Sequence, residues 1–219
     1  MSVAIALDGP AGAGKSTIAK MVAKRNGFIY VDTGAMYRAM AYYLIQQGIG
    51  AEESEKISLE CKNADISLRY ENGEQIVILN GRNVNGVIRT EEVSRMASIS
   101  SANKDVRVRL VELQQKLAES NDVIMDGRDI GTCVLPNADV KIYLTASSKV
   151  RAMRRYKELV EKGQQCDLDT IEADIIERDH RDMTRENSPL KQAEDAILLD
   201  SSDMSIDEVV EAICSYIRR

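Results

Sequence analysis

The chain has 219 residues, 44% of them hydrophobic and 29% charged, with a net charge of −6 at pH 7. That length allows one sizeable core with small appended subdomains, and that composition excludes a disordered chain. The acidic balance argues against nucleic-acid binding, which needs a basic face, but leaves a small phosphorylated substrate open because local arginines can override the average.

Residues 3–7 form a short continuous apolar run, the pattern of a buried parallel strand. A helix is expected over 15–26, stopped by Gly27. A second strand is expected over 28–31, and Asp32 or Thr33 can cap a helix running through Gln47 to a stop at Gly48. The texture then changes. Ile66, Leu68 and Tyr70 alternate with polar residues, Asn72-Gly73 signals a hairpin, 75–79 returns as a strand, and Asn80-Gly81 turns the chain again. Residues 65–85 therefore read as a small antiparallel sheet inserted into an α/β chain.

Helical patterns resume at 91–101, capped by Thr90, and at about 105–119, where Val106, Leu110, Leu113 and Leu117 fall on one face. Strands are expected at 123–125 and 140–145. Ser147 or Ser148 caps a helix to about Lys162, and another runs from Leu168 to about Arg185. A last strand, 196–199, precedes a capping box of Ser205 and Glu208 and a final amphipathic helix. Strands alternating with helices give a parallel sheet with helices on both faces. No apolar run reaches 18 residues, so no membrane span is expected, and no basic region precedes the first strand, so no signal peptide is expected. Cys61, Cys133, Cys166 and Cys214 lack C-x-x-C spacing and read as reduced thiols of a cytoplasmic protein.

The chemistry begins at the first strand-to-helix turn. Gly9, Gly14, Lys15 and Ser16 complete the pattern G-x-x-x-x-G-K-[ST]. Glycines let the backbone N–H groups wrap a phosphate, and the helix N-terminus adds partial positive charge. Lys15 can reach the outer phosphates, and the Ser16 hydroxyl can ligate Mg²⁺. Asp126 ends an apolar strand, at the sheet edge where open α/β folds bind ligands. Strand-end aspartates also serve as plain turn residues, but beside a P-loop the metal role is favoured.

Arg151, Arg154 and Arg155 lie on one expected helix, and Arg178, Arg181 and Arg185 recur at spacings of three and four on the next. Residues 148–185 hold nine acids and nine Lys or Arg, so a salt-bridged surface competes with arginines that close over phosphates. Thr33, Tyr37, Arg38, Ser98, Arg107, Arg128 and Asp129 are polar residues placed toward the same edge, and spacing alone does not assign them. Taken singly, Ser98 and Arg107 read as surface residues. His180 reads as a surface histidine, and Cys133 as a small buried hydrophobe.

The start Ile-Ala-Leu-Asp-Gly-Pro-Ala-Gly-Ala-Gly-Lys-Ser-Thr resembles the P-loop of bacterial cytidylate kinases, members of the nucleoside monophosphate kinase group of P-loop kinases. So do Asp32-Thr33-Gly34-Ala35-Met36-Tyr37-Arg38, Asp126-Gly127-Arg128-Asp129-Ile130-Gly131-Thr132, and Arg178-Asp179-His180-Arg181-Asp182 with Arg185 and Ser188-Pro189-Leu190. The resemblance spans essentially the whole chain. It implies one P-loop kinase domain over 1–219, with a monophosphate-binding region at about 33–103 and a helical lid at about 148–166.

It also implies transfer of the γ-phosphoryl group of ATP to CMP or dCMP in a cytoplasmic, monomeric enzyme that touches neither nucleic acid nor membrane. Gly9, Pro10, Ala11, Gly12, Ala13, Gly14, Lys15, Ser16 and Thr17 would hold the ATP phosphates, and Ser16 and Asp126 the Mg²⁺. Arg38 and Arg128 would grip the CMP phosphate beside Thr33 and Tyr37. Ser98, Arg107, Asp129 and Arg185 would read cytosine, and Arg178 and Asp182 would contact the ribose. Lys15, Arg128, Arg154 and Arg155 would stabilise the transferring group. Thr33 stands where some family members carry serine, keeping the hydroxyl and adding a methyl.

Overall fold

The computed structural model describes residues 2–217; Met1, Arg218 and Arg219, the ends of the expected domain, lie outside the described residues. The chain runs β1 (Ala4–Asp8), α1 (Lys15–Asn26), β2 (Ile29–Asp32), α2 (Thr33–Gln46), α3 (Ser54–Glu60), β3 (Ile66–Glu71), β4 (Glu74–Leu79), β5 (Arg82–Asn83), α4 (Glu91–Ser100), α5 (Lys104–Ser120), β6 (Val123–Gly127), β7 (Val140–Thr145), α6 (Ser148–Glu161), α7 (Leu168–Thr184), β8 (Ile197–Asp200) and α8 (Ile206–Tyr216). Among the described residues the main sheet has the order β2-β6-β1-β7-β8 with every neighbouring pair parallel.

Successive side chains of β1 point to opposite faces. Ile5 and Leu7 pack with Ile18 and Val22 of α1 and Val209 and Ile213 of α8. Ala6 packs on the other face with Met36 and Met40 of α2, Val93 of α4 and Leu110 of α5. Covering both faces is what demands an unbroken apolar strand rather than an alternating one. The expected caps form: Asp32 accepts the Ala35 N–H, Thr90 the Val93 N–H and Ser147 the Val150 N–H, and Ser205 with Glu208 closes a capping box.

The insert is the antiparallel sheet β3-β4-β5. Asn72 and Gly73 both take positive φ, 53° and 80°, as a tight primed turn requires. Val77 and Leu79 of β4 join the α2 core. The Gln75 side chain accepts the Asp32 N–H at 2.9 Å and donates to the Asp32 carbonyl at 3.2 Å, tying the insert to the end of β2.

Two elements have no counterpart in the sequence reading. Helix α3 has too few apolar positions to show a period: Ile57 is buried, while Leu59 is 69% exposed. A single wide turn, Ile130–Val134, follows β6, and its backbone is closed partly from outside the turn.

Candidate active site

The P-loop leaves the C-terminal end of β1 at the centre of the sheet. Gly9 has φ 148°, and a Cβ there would lie 1.9 Å from the Leu144 carbonyl oxygen of β7, so only glycine lets the loop turn against that strand. The Lys15 ammonium is buried beneath the loop and donates to the Gly9 and Pro10 carbonyls, at 2.7 Å each. Burial pulls it below its ordinary pKa and Arg128 adds to that, while Asp126 and Asp8 oppose them. Ser16 donates to Asp126 Oδ2 at 2.8 Å, and the Tyr30 hydroxyl donates to Oδ1 at 3.0 Å. Burial raises the Asp126 carboxyl, and the nearby Asp32 charge raises it further.

The loop has an outer support that sequence reading missed. Asp179 of α7 accepts the Ala11 N–H at 3.1 Å through Oδ1 and a hydrogen bond from Arg151 at 2.6 Å through Oδ2. Arg151 of α6 also donates to the Ala11 carbonyl at 2.8 Å. The sequence set Arg151 beside Arg154 and Arg155; the structure buries it on the P-loop, 6% exposed, while Arg154 reaches Ser201 and Arg155 pairs with Glu158 at the surface. Asp179 carries no signal in spacing because both its partners are remote in the chain.

Across the cleft stands the second half of the site. Arg128 donates to Asp182 Oδ2 at 2.8 Å. Burial would raise Asp182, but Arg128, by charge and by that bond, holds it below the usual carboxylate range. Arg178 is pulled down to about 10 by burial and by the charge of Arg128, with Arg38 adding to the repulsion. Arg38 is itself lowered by burial. The Arg178 Nε is buried without a partner among the described residues. Three guanidinium groups held this close make a site for an anion of high charge. Thr33 donates to the Asp126 carbonyl at 2.6 Å, which fixes α2 and its Arg38 to the end of β6.

Deeper in the cleft, Arg107 and Asp129 form an ion pair whose side chains are 5% and 6% exposed. Arg185 Nη2 approaches Asp129 Oδ1 at 3.7 Å, and Arg107 lies 5.4 Å from the centre of the Tyr37 ring. Arg107 is thus interior, which corrects its reading as a surface residue. Its guanidinium is buried beside the Tyr37 ring, and Asp129 compensates the charge. Ser98 accepts from Arg181 at the cleft rim. Cys133 is exposed, not the buried hydrophobe its composition implied, because it sits on the outer side of the wide turn. His180 is exposed, as expected.

All these parts share one cleft of about 700 Å³, lined by residues 11–17 of the P-loop, Thr33, Tyr37, Arg38, Ser98, Arg107, residues 126–129, Arg154, Arg155, Arg178, Asp182 and Arg185. Met204, Ile206 and Val209 also line it, an apolar lip at the start of α8. The oxygens of Ser16 and Asp126 suit a hard cation such as Mg²⁺, which takes few protein ligands in such sites. Among the described residues no group of three or more His, Cys, Asp or Glu is placed to hold a metal ion.

The chain is similar to known proteins along most of its length. A family profile described as cytidylate kinase matches residues 5–219. The chain is 50% identical over 209 residues to a cytidylate kinase of Caldicellulosiruptor saccharolyticus, covering 95% of this chain and 92% of that relative. It is 46% identical to the Bacillus subtilis cytidylate kinase, over 99% and 97% of the two chains. A solved gluconokinase from Sinorhizobium meliloti, 13% identical, superposes with a TM-score of 0.51 over 98% of this chain and 91% of that one, a likeness of fold alone. A P-loop facing an arginine-lined pocket that ends in a buried Arg–Asp pair, together with identity of this extent along the chain, shows that the chain belongs to the cytidylate kinase family.

Proposed function

We propose that this enzyme transfers the γ-phosphoryl group of ATP to CMP and dCMP, giving CDP and dCDP. The observation that carries this reading is the single cleft with a P-loop at one side and, at the other, three clustered arginines leading to the buried Arg107–Asp129 pair. The donor phosphates lie over Gly9 to Thr17. Lys15 exchanges its two carbonyl partners for phosphate oxygens. Ser16 and Asp126 hold Mg²⁺, which when bound neutralises and orients the phosphates of ATP.

The acceptor phosphate lies among Arg38, Arg128 and Arg178. Its second pKa is about 6, so near neutral pH it is already mostly dianionic and needs no strong base. The residues therefore act by position and charge: Lys15 and the arginines hold donor and acceptor in line and spread the charge of the transferring group. Asp182 orients Arg128 and, with Arg178, contacts the ribose. Arg154 and Arg155 on α6 close over the phosphates, and α6 with its following turn forms a lid that keeps water from the γ-phosphoryl group. The apolar lip at Met204 and Ile206 seats the donor base.

Base choice follows from donor and acceptor polarity. The N4 amino group of cytosine donates to Asp129, and its O2 and N3 accept from arginine and from Ser98. Uracil reverses the polarity at N3 and at position 4 and leaves buried groups mismatched. The four free thiols fit a reducing cytoplasm. Side-by-side turnover of CMP, dCMP, UMP and AMP tests the reading: CMP and dCMP should exceed the others by about 100-fold or more in kcat/KM. Equal or better turnover of UMP or AMP would refute it.

A further inference from the structure

β1 ends on Asp8, one residue before the P-loop, and this carboxylate is 5% exposed. It reaches across to the loop after the neighbouring strand. Its Oδ1 accepts the Ile130 N–H at 2.8 Å and its Oδ2 accepts the Gly131 N–H at 2.7 Å. These are the first two N–H groups of the wide turn Ile130–Val134, donors that a helical turn cannot satisfy from within.

The residue at the N-cap of that turn is Asp129. An aspartate there ordinarily folds its carboxylate back onto the second or third N–H of the turn, here Gly131 or Thr132. Asp129 makes no such bond and adopts φ −147° and ψ 25°, outside the extended geometry usual for a cap. Its two oxygens face Arg107 and Arg185 instead. Two of the turn's donors, the Ile130 and Gly131 N–H groups, are already taken by Asp8, and the like charges of Asp8 and Asp129 repel. Glycine at 131 admits the close approach: a Cβ there would lie 3.4 Å from Asp8 Oδ2 and 3.2 Å from Lys141 Cδ.

We propose that Asp8 is a positioning residue for acceptor recognition: it caps the turn in place of Asp129 and thereby leaves the Asp129 carboxylate free to hold Arg107 and Arg185 and to read the base. This inference rests on Asp129 as the base reader. It also gives the end of β1 two tasks, since the strand that launches the donor loop steadies the acceptor's specificity loop through one side chain. Only a carboxylate offers one acceptor oxygen to each N–H; in Asp8→Asn the amide NH₂ would meet a donor, and the orphaned N–H would draw Asp129 back to its own turn.

The test compares the wild type, Asp8→Asn, Asp129→Asn and the double variant with CMP and UMP at saturating Mg-ATP, with KM for Mg-ATP measured alongside and thermal melting to verify folding. In Asp8→Asn the CMP-over-UMP ratio of kcat/KM should fall about tenfold or more, mainly through KM for CMP, with KM for Mg-ATP changed less than about threefold. The double variant should discriminate no worse than Asp129→Asn alone, because the effect of Asp8 passes through Asp129. Unchanged discrimination in Asp8→Asn beside a loss in Asp129→Asn would overturn the proposal. So would additive losses in the double variant, or an Asp8→Asn defect confined to KM for Mg-ATP. A wild type without CMP preference would overturn the base-reading role itself and Asp8 with it; the other failures touch Asp8 alone. Should Asp8→Asn not fold, Asp8→Ser, which offers one oxygen, carries the same comparison.

Discussion

Arg107 and Asp129 hold each other almost out of water, and Arg185 leans on the same carboxylate. Removing one partner of such a pair leaves a buried charge uncompensated, which costs far more than the pair itself contributes. Asp129→Ala is therefore expected to lower stability by about 3–5 kcal/mol, read from urea unfolding midpoints. A midpoint matching the wild type would mean that Arg107 escapes to solvent. Lys15 presents the opposite case. Its bonds run to two carbonyls of its own loop, so the fold loses little without them. Lys15→Ala should cut turnover by about 100-fold or more while the far-ultraviolet circular dichroism stays unchanged, and wild-type turnover would remove Lys15 from its role.

At the scale of elements, the donor loop is held from two directions. Inside the sheet, β1 and β7 leave room only for Gly9. Outside it, α6 and α7 grip Ala11 through Arg151 and Asp179, so the helix that carries Arg154 and Arg155 is registered against the loop whose phosphates those arginines would approach. Asp179→Asn weakens the charged half of this grip. Its KM for ATP should rise about tenfold with KM for CMP little changed, and an equal rise in both would indicate a general loss of structure instead. The insert plays a corresponding part across the cleft: Gln75 brackets the Asp32 backbone, and Arg89, between the insert and α4, pairs with the Asp32 carboxylate at 2.8 Å, which fixes the start of the helix bearing Arg38.

Over the whole molecule the net charge is −6, yet Arg38, Arg128 and Arg178 repel one another inside the cleft. An anion there relieves that repulsion only in the folded chain, so ligand binding and stability are linked. CMP at about 100 times its Kd should add about 2.7 kcal/mol, and for a chain of this size that raises the melting temperature by about 5–10 °C. UMP at the same concentration should raise it far less. Equal shifts from both nucleotides would show that the phosphate alone is recognised.

Most of the element order was legible along the chain because its causes are local. The apolar run of β1, the Asn72-Gly73 turn, the Thr90 and Ser205 caps and the G-x-x-x-x-G-K-S turn each act over a few residues. By itself the sequence determined the alternating α/β order, the phosphate-binding turn and, through linked motifs, the family. Tertiary structure alone decided which polar residues meet. Arg107 and Asp129 are separated by 22 positions, Ser16 and Asp126 by 110, and Asp8 and Gly131 by 123. A buried charge declares its partner only when folding has removed water from both, and that desolvation is a property of the packed sheet edge, not of any stretch of sequence.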